Sequence, residues 1–175
     1  IVINSLMKLV IDIATEDEAW QACSFPLEDT IRTAVQAAIE HSAYADQLSG
    51  VEADISLVLA NDAFIRPLNR DYRGKDMPTN VLSFPGTDFN DTAALQTPLC
   101  FGDVIFACET ISREAAEQNK SFADHFTHLV VHGTLHLMGY DHEHSEQAAV
   151  MEALEIEILK QLNIENPYSD PNSMP

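Results

Sequence analysis

Four stretches of this chain are short, apolar and branched in the way strands are, and all four lie before residue 108. They are residues 7–14, 54–60 (DISLVLA), 79–84 (TNVLSF) and 101–107 (FGDVIFA). Between and after them, apolar residues recur at helical spacing. Ile31, Ala34, Val35, Ala38 and Ile39 predict a helix over 26–45. Asn61 or Asp62 caps another that runs to about Asp71, and Pro67 inside it predicts a kink or an early end. Three helical stretches close the chain, 109–119, 122–138 and 145–162, the second opened by Ser121 with Asp124 three residues on. Strands mixed with helices, followed by helices alone, predict one layered α/β or α+β domain.

The chain is long enough to fill such a domain. Its 175 residues are 46% hydrophobic and 21% charged, ordinary usage for a globular protein, with no internal repeat or linker composition. The domain is expected over residues 1–165, with residues 166–175, which hold three prolines, as a frayed flexible tail. No run approaches the roughly 18 apolar residues of a membrane helix, so no membrane partner is expected. The opening IVINSLMKLVIDIA lacks a basic start and carries Asp12 in its apolar part, so it reads as a strand rather than a secretory leader. Cys23, Cys100 and Cys108 are odd in number and have no CxxC spacing. They predict buried thiols in a reducing compartment, hence a cytoplasmic protein.

Lys and Arg number 9 against 28 Asp and Glu, a net charge of −19. That balance argues against a general nucleic-acid binder, because such binding rests on cations that displace phosphate counterions. The distribution qualifies the sum. Arg66, Arg70, Arg73 and Lys75 fall within ten residues, either as a solvated helix face or as a basic patch on an acidic body. Residues 87–99 are polar and turn-rich, and are expected to form a long mobile loop. In 145–162, Met151, Leu154, Ile158 and Leu162 make an apolar stripe, while Glu146, Glu152, Glu155 and Glu157 are expected to face water.

Six of the seven histidines lie between His125 and His144. The informative subset is HGTLHLMGYDH, residues 132–142. His132 and His136 are four apart, which sets both imidazoles on one helix face. Gly139 stands where the helix stops, since glycine accepts the left-handed conformation that ends it. The chain can then reverse through Tyr140 and Asp141 and bring His142 back toward the pair. Three neutral imidazoles that converge in this way make a tripod for zinc with a fourth position left open, the catalytic rather than the structural arrangement. His128, one turn earlier, is either a supporting partner or a satisfied core histidine; His125 and His144 are expected at the surface. Metzincin proteases share the spacing H-x3-H-x2-G-x2-H, but Gly133 stands where their general-base glutamate would be, so the metal site survives that comparison and the protease mechanism does not.

VHGTLHLMGYDH (131–142), together with LNRDYRGKDMPTNVLSFP (68–85) and FGDVIFA (101–107), resembles the YbeY family of metal-dependent endoribonucleases, with the blocks in the family's order from about Asp54 to Tyr168. The resemblance implies a single α/β domain, a small mixed sheet of about four strands packed with five or so helices. It implies one zinc ion held by His132, His136 and His142, and Arg73 in the cleft facing that metal as a catalytic residue. It also implies work on ribosomal RNA: maturation of the small-subunit RNA 3′ end, and ribosome quality control. Ribosomal or other single-stranded RNA is then the substrate, with small-subunit ribosomal proteins as possible partners.

The chemistry agrees with these residue types. Zinc can polarise a phosphoryl oxygen or lower a bound water's pKa from 15.7 toward about 7. Arg73 can hold two phosphate oxygens through its planar fork, with Arg70 and Lys75 along the backbone on either side. Asp141 orients a ligand, accepts a proton or caps its turn and is assigned no catalytic role, no general base is evident, and stacking platforms for bases are not apparent at 7% aromatics. Two alternatives come from other classes: a non-catalytic ribosome-assembly factor with a structural metal, and a metallohydrolase of another bond.

Overall fold

The computed structural model describes residues 7–169. Four strands form one sheet: β1 (Lys8–Thr15), β2 (Glu52–Ala60), β3 (Val81–Pro85) and β4 (Leu99–Ala107). They lie in the order β1-β2-β4-β3, with β1, β2 and β4 parallel and β3 antiparallel to β4 at one edge. Five helices pack with them: α1 (Leu27–His41), α2 (Asp62–Arg73), α3 (Cys108–Glu117), α4 (Phe122–Leu137) and α5 (Ser145–Gln161). The expected mixed α/β architecture is therefore present, with boundaries shifted by a few residues.

The period-two alternation of the strands divides the apolar residues between two cores. Ile55, Leu57, Leu59, Phe101, Val104 and Phe106 face one side of the sheet and join α1, α4 and α5 in the main core. Leu82, Phe84 and Ile105 face the other side, where Ile65 and Leu68 of α2 cover them. Helix α4 is the centre of the large core. Every residue from His125 to Leu135 is buried, histidines and threonines included, so it is a helix covered on all sides rather than a surface helix with one wet face.

Three expectations change here. Helix α2 runs through Pro67 to Arg73 rather than stopping near Asp71. Asn61 caps it by accepting from the Phe64 N–H at 2.8 Å, and Asn69 Nδ2 donates to the Met77 carbonyl at 2.8 Å, which ties the segment after the helix back onto it. Residues 87–99 are not a bare loop. Phe89 and Leu95 are buried, Phe89 packs 5.3 Å from Phe101, and Asp91 caps a short 3₁₀ turn over Thr92–Ala94. Among the thiols, Cys23 and Cys108 are half-buried and Cys100 is exposed, because Cys100 alternates along β4 with the buried Leu99 and Phe101 and so points away from the main core.

Helix α4 lies against the sheet at Gly133. A Cβ on that residue would meet Val104 Cγ1 at 2.6 Å and Ser83 Oγ at 3.3 Å. The contact is also polar: Ser83 Oγ donates to the Gly133 carbonyl at 3.0 Å. Val104 is buried and branched at Cβ, so it has little room to turn away. Gly133→Ala is expected to lower stability by about 1–3 kcal/mol through overpacking, read as a lower urea midpoint with the slope unchanged.

Candidate metal centre

The end of α4 is built as the sequence predicts. Ser121 opens the helix by accepting from the Asp124 N–H at 3.0 Å. Gly139 closes it with φ of +87°. The Tyr140 N–H reaches back to the Leu135 carbonyl at 3.2 Å and the Gly139 N–H to the His136 carbonyl at 3.0 Å, the paired bonds of a Schellman stop. Tyr140 then anchors the reversal, its hydroxyl accepting from the Ala43 N–H at 2.9 Å. Asp141 Oδ1 accepts from the His142 N–H at 2.7 Å, which makes Asp141 the cap of this turn.

The reversal brings three imidazoles together. Ring centroids stand 4.5 Å apart for His132 and His136, 5.0 Å for His136 and His142, and 5.5 Å for His132 and His142. One nitrogen from each ring lies within 4.8 Å of the other two, a cluster able to hold a metal ion. His132 Nε2 and His136 Nε2 are 3.1 Å apart. Two nitrogens bound to one tetrahedral zinc at its usual bond length would be separated by about 3.3 Å, so the pair already has the span of a metal clamp. Burial, and then the neighbouring His132 and His142, push His136 down to about 4, so its ring is neutral at pH 7 and has a lone pair to give. Exposure rises from His132, which is buried, through His136 to His142, so the cluster opens to solvent on one side.

Arg73 is the last residue of α2, exposed, and makes no hydrogen bond or ion pair with any of the three histidines. It is nonetheless distinguished from its neighbours. Arg66 is bound to Asp76 at 2.9 Å and Arg70 to Asp71 at 2.8 Å, whereas Arg73 and Lys75 have no carboxylate partner among the described residues. Tyr72 beside it is 69% exposed and stands edge-on to Phe84 at 4.9 Å, an aromatic face that composition alone did not reveal.

Behind the cluster lies a buried polar group that the sequence reading placed elsewhere. Glu155 of α5 does not face water; it is 0% exposed and its Oε1 is 2.5 Å from His132 Nδ1. The signal was available, since Glu155 falls four residues after Met151 and three before Ile158, on the buried stripe itself. Tyr168 donates its hydroxyl to Glu155 Oε2. Burial pushes the Glu155 carboxyl up, but the His128 and His132 rings against it prevail and hold it at about 2. Burial and the Glu155 charge raise the Tyr168 hydroxyl well above its ordinary value, so it remains a donor. His128 is buried, with Nε2 3.7 Å from Glu155 Oε2, and burial lowers its pKa against the pull of that carboxylate.

His125 is also not at the surface. It is 1% exposed, with Nε2 2.8 Å from Glu114 Oε2, to which Asn80 Nδ2 also donates at 3.0 Å. The full burial of α4 is the reason. His144 is exposed, as expected. The segment expected to fray from Asn166 is in part packed: Pro167 is buried, its carbonyl accepts from Lys120 Nζ at 3.2 Å, and Tyr168 reaches Glu155. The remainder of that segment, 170–175, lies outside the described residues.

A mixed α/β layer with three converging imidazoles on one buried helix and the turn after it is a protein with a histidine cluster of metal-binding type. Residues 12–163 match the family model described as endoribonuclease YbeY. Endoribonuclease YbeY of Parvibaculum lavamentivorans is 46% identical over 171 residues, spanning 94% of this chain and 88% of that one. Endoribonuclease YbeY of Azorhizobium caulinodans is 47% identical over 161 residues, 92% of this chain and 97% of its own. The chain belongs to the endoribonuclease YbeY family. The fold is shared with the solution structure of TM1509 from Thermotoga maritima, with a TM-score of 0.52 at 23% identity, covering 95% of this chain and 97% of that one. Among the described residues, no helix is long and apolar enough to cross a membrane.

Proposed function

We propose that this protein is a zinc-dependent endoribonuclease that cuts single-stranded RNA during ribosomal RNA processing, in maturation of the small-subunit RNA 3′ end and in ribosome quality control. The observation that carries the reading is the convergence of His132, His136 and His142, with the first two Nε2 atoms 3.1 Å apart and His142 exposed at the edge of the cluster. The relatives named as endoribonucleases supply the substrate class. His132, His136 and His142 would hold the ion, three ligands with one position left for water or substrate. Bound there, zinc supplies a Lewis acid for a phosphoryl oxygen and acidifies a water that can serve as nucleophile.

The remaining work falls to this chain's own side chains. Arg73, with no carboxylate partner among the described residues, is the residue to grip two phosphate oxygens and offset charge that grows on them in the transition state. Lys75 extends that grip along the backbone. Tyr72 offers a face to a neighbouring base, a contact of about 1–3 kcal/mol in single-strand binders. With a net charge of −19, the body of the protein attracts basic small-subunit ribosomal proteins rather than RNA, and leaves the RNA to the local cations. The setting is the cytoplasm, where half-buried thiols stay reduced.

The purified protein is expected to carry about one zinc per chain, as a single three-histidine site would. Stripping the metal with a chelator should abolish cleavage of an unstructured RNA, and stoichiometric zinc should restore it. Cleavage undiminished in protein shown to be free of metal would overturn the reading.

A further inference from the structure

Helix α5 buries a carboxylate among carbon. Glu155 lies with Met151, Ile158 and Leu159 on the covered face of the helix, where an unpaired charge would be driven to its neutral form. Both of its oxygens are engaged, Oε1 with His132 Nδ1 at 2.5 Å and Oε2 with the Tyr168 hydroxyl. An ionised carboxylate only accepts, so the His132 bond places the proton on Nδ1. In a neutral imidazole the lone pair then sits on Nε2, the atom that stands 3.1 Å from His136 Nε2 inside the cluster.

We propose that Glu155, clasped by Tyr168, is the positioning residue that fixes the tautomer and ring orientation of His132 so that Nε2 is offered to the metal. The inference rests on the metal reading above and adds two residues to it. His128, His132 and Glu155 also lie close enough together to suggest a second ion. The 2.5 Å between His132 Nδ1 and Glu155 Oε1 is too short for a cation between them, since two ligands on one zinc stand about 3 Å apart or more. The contact is a hydrogen bond. Tyr168 reaches it from beyond α5, on a segment tied down by Lys120 through the Pro167 carbonyl at 3.2 Å.

Two variants of the full chain test this. Glu155→Leu keeps the volume and apolar surroundings but removes the acceptor; Tyr168→Phe removes one hydroxyl and no packing. Zinc affinity, read by competition with a chromogenic chelator, is expected to fall about 10–100-fold in Glu155→Leu and about 10-fold in Tyr168→Phe, the range found for outer partners of a metal-bound histidine. In metal-free protein, the ¹⁵N shifts of His132 should report an Nδ1–H tautomer in the natural protein and a mixture in Glu155→Leu. Affinities within twofold (about 0.4 kcal/mol, inside experimental scatter) for both variants, or an unchanged His132 tautomer, would overturn the proposal. Two zinc ions per chain would overturn it as well. If the natural protein binds no zinc, the metal reading fails, and the tautomer measurement still decides whether Glu155 orients His132. If Glu155→Leu does not fold, Tyr168→Phe carries the test alone.

Discussion

Replacing His136 by alanine is expected to strip the protein of zinc and of RNA cleavage together. His136 supplies the Nε2 atom 3.1 Å from that of His132, and the remaining His132 and His142 rings, 5.5 Å apart at their centroids, leave only a two-point site. Affinity should drop by more than the 10–100-fold that loss of an outer partner costs, because a direct ligand is lost. Zinc measured by atomic emission after dialysis should fall to background, and cleavage of unstructured RNA with it. The fold should survive, since His136 is itself only half-buried, unlike the fully covered run from His125 to Leu135. A His136→Ala protein that retained zinc and cleaved at the natural rate would mean that the imidazole cluster is not the seat of the chemistry.

Arg73→Ala should separate binding of the metal from use of it. Among the described residues Arg73 has no bond to the cluster histidines and none to a carboxylate, so zinc content and thermal midpoint are expected to stay as in the natural protein. The cleavage rate should fall about 10²–10³-fold, the usual effect of removing one preorganised donor to transition-state charge. Arg73→Lys should recover only part of it, because an ammonium is a point charge without the two-pronged fork. The same substitutions at Arg66 and Arg70 should do far less, as their guanidinium groups are already held by Asp76 and Asp71. Single-turnover cleavage at saturating protein measures the step in question, and equal rates for all three alanine variants would remove Arg73 from the mechanism.

What the sequence disclosed and what it hid follow from periodicity and its limits. The strands and helices were legible because branched apolar runs and helical stripes are local. The histidine cluster was legible because spacing of four fixes a face, and Gly139, at φ of +87°, fixes where the helix must turn back. Burial on a second face was not local in this sense. His125 reads as a polar surface residue until α4 is seen to be covered on every side, and Glu155 reads as one more solvated acid in a glutamate-rich helix until its stripe meets His132. Phe89 and Leu95 are two apolar anchors in an otherwise polar run, too sparse to show a period, yet both are buried and hold residues 87–99 against the core. The clustering of Arg66, Arg70, Arg73 and Lys75 was readable, while the extension of α2 to Arg73 and the pairing of its neighbours with Asp71 and Asp76 needed coordinates.

The seam between α4 and the sheet limits how this scaffold can be re-engineered. The residue after His132 faces Val104 and Ser83 at van der Waals distance or less, with no room even for a methyl group. Grafting a peptidase onto this frame by installing a glutamate there would wedge a carboxylate between helix and strand, aimed away from the cluster. Conversion to amide hydrolysis would have to bring its proton acceptor from another part of the chain, or rebuild the strands beneath.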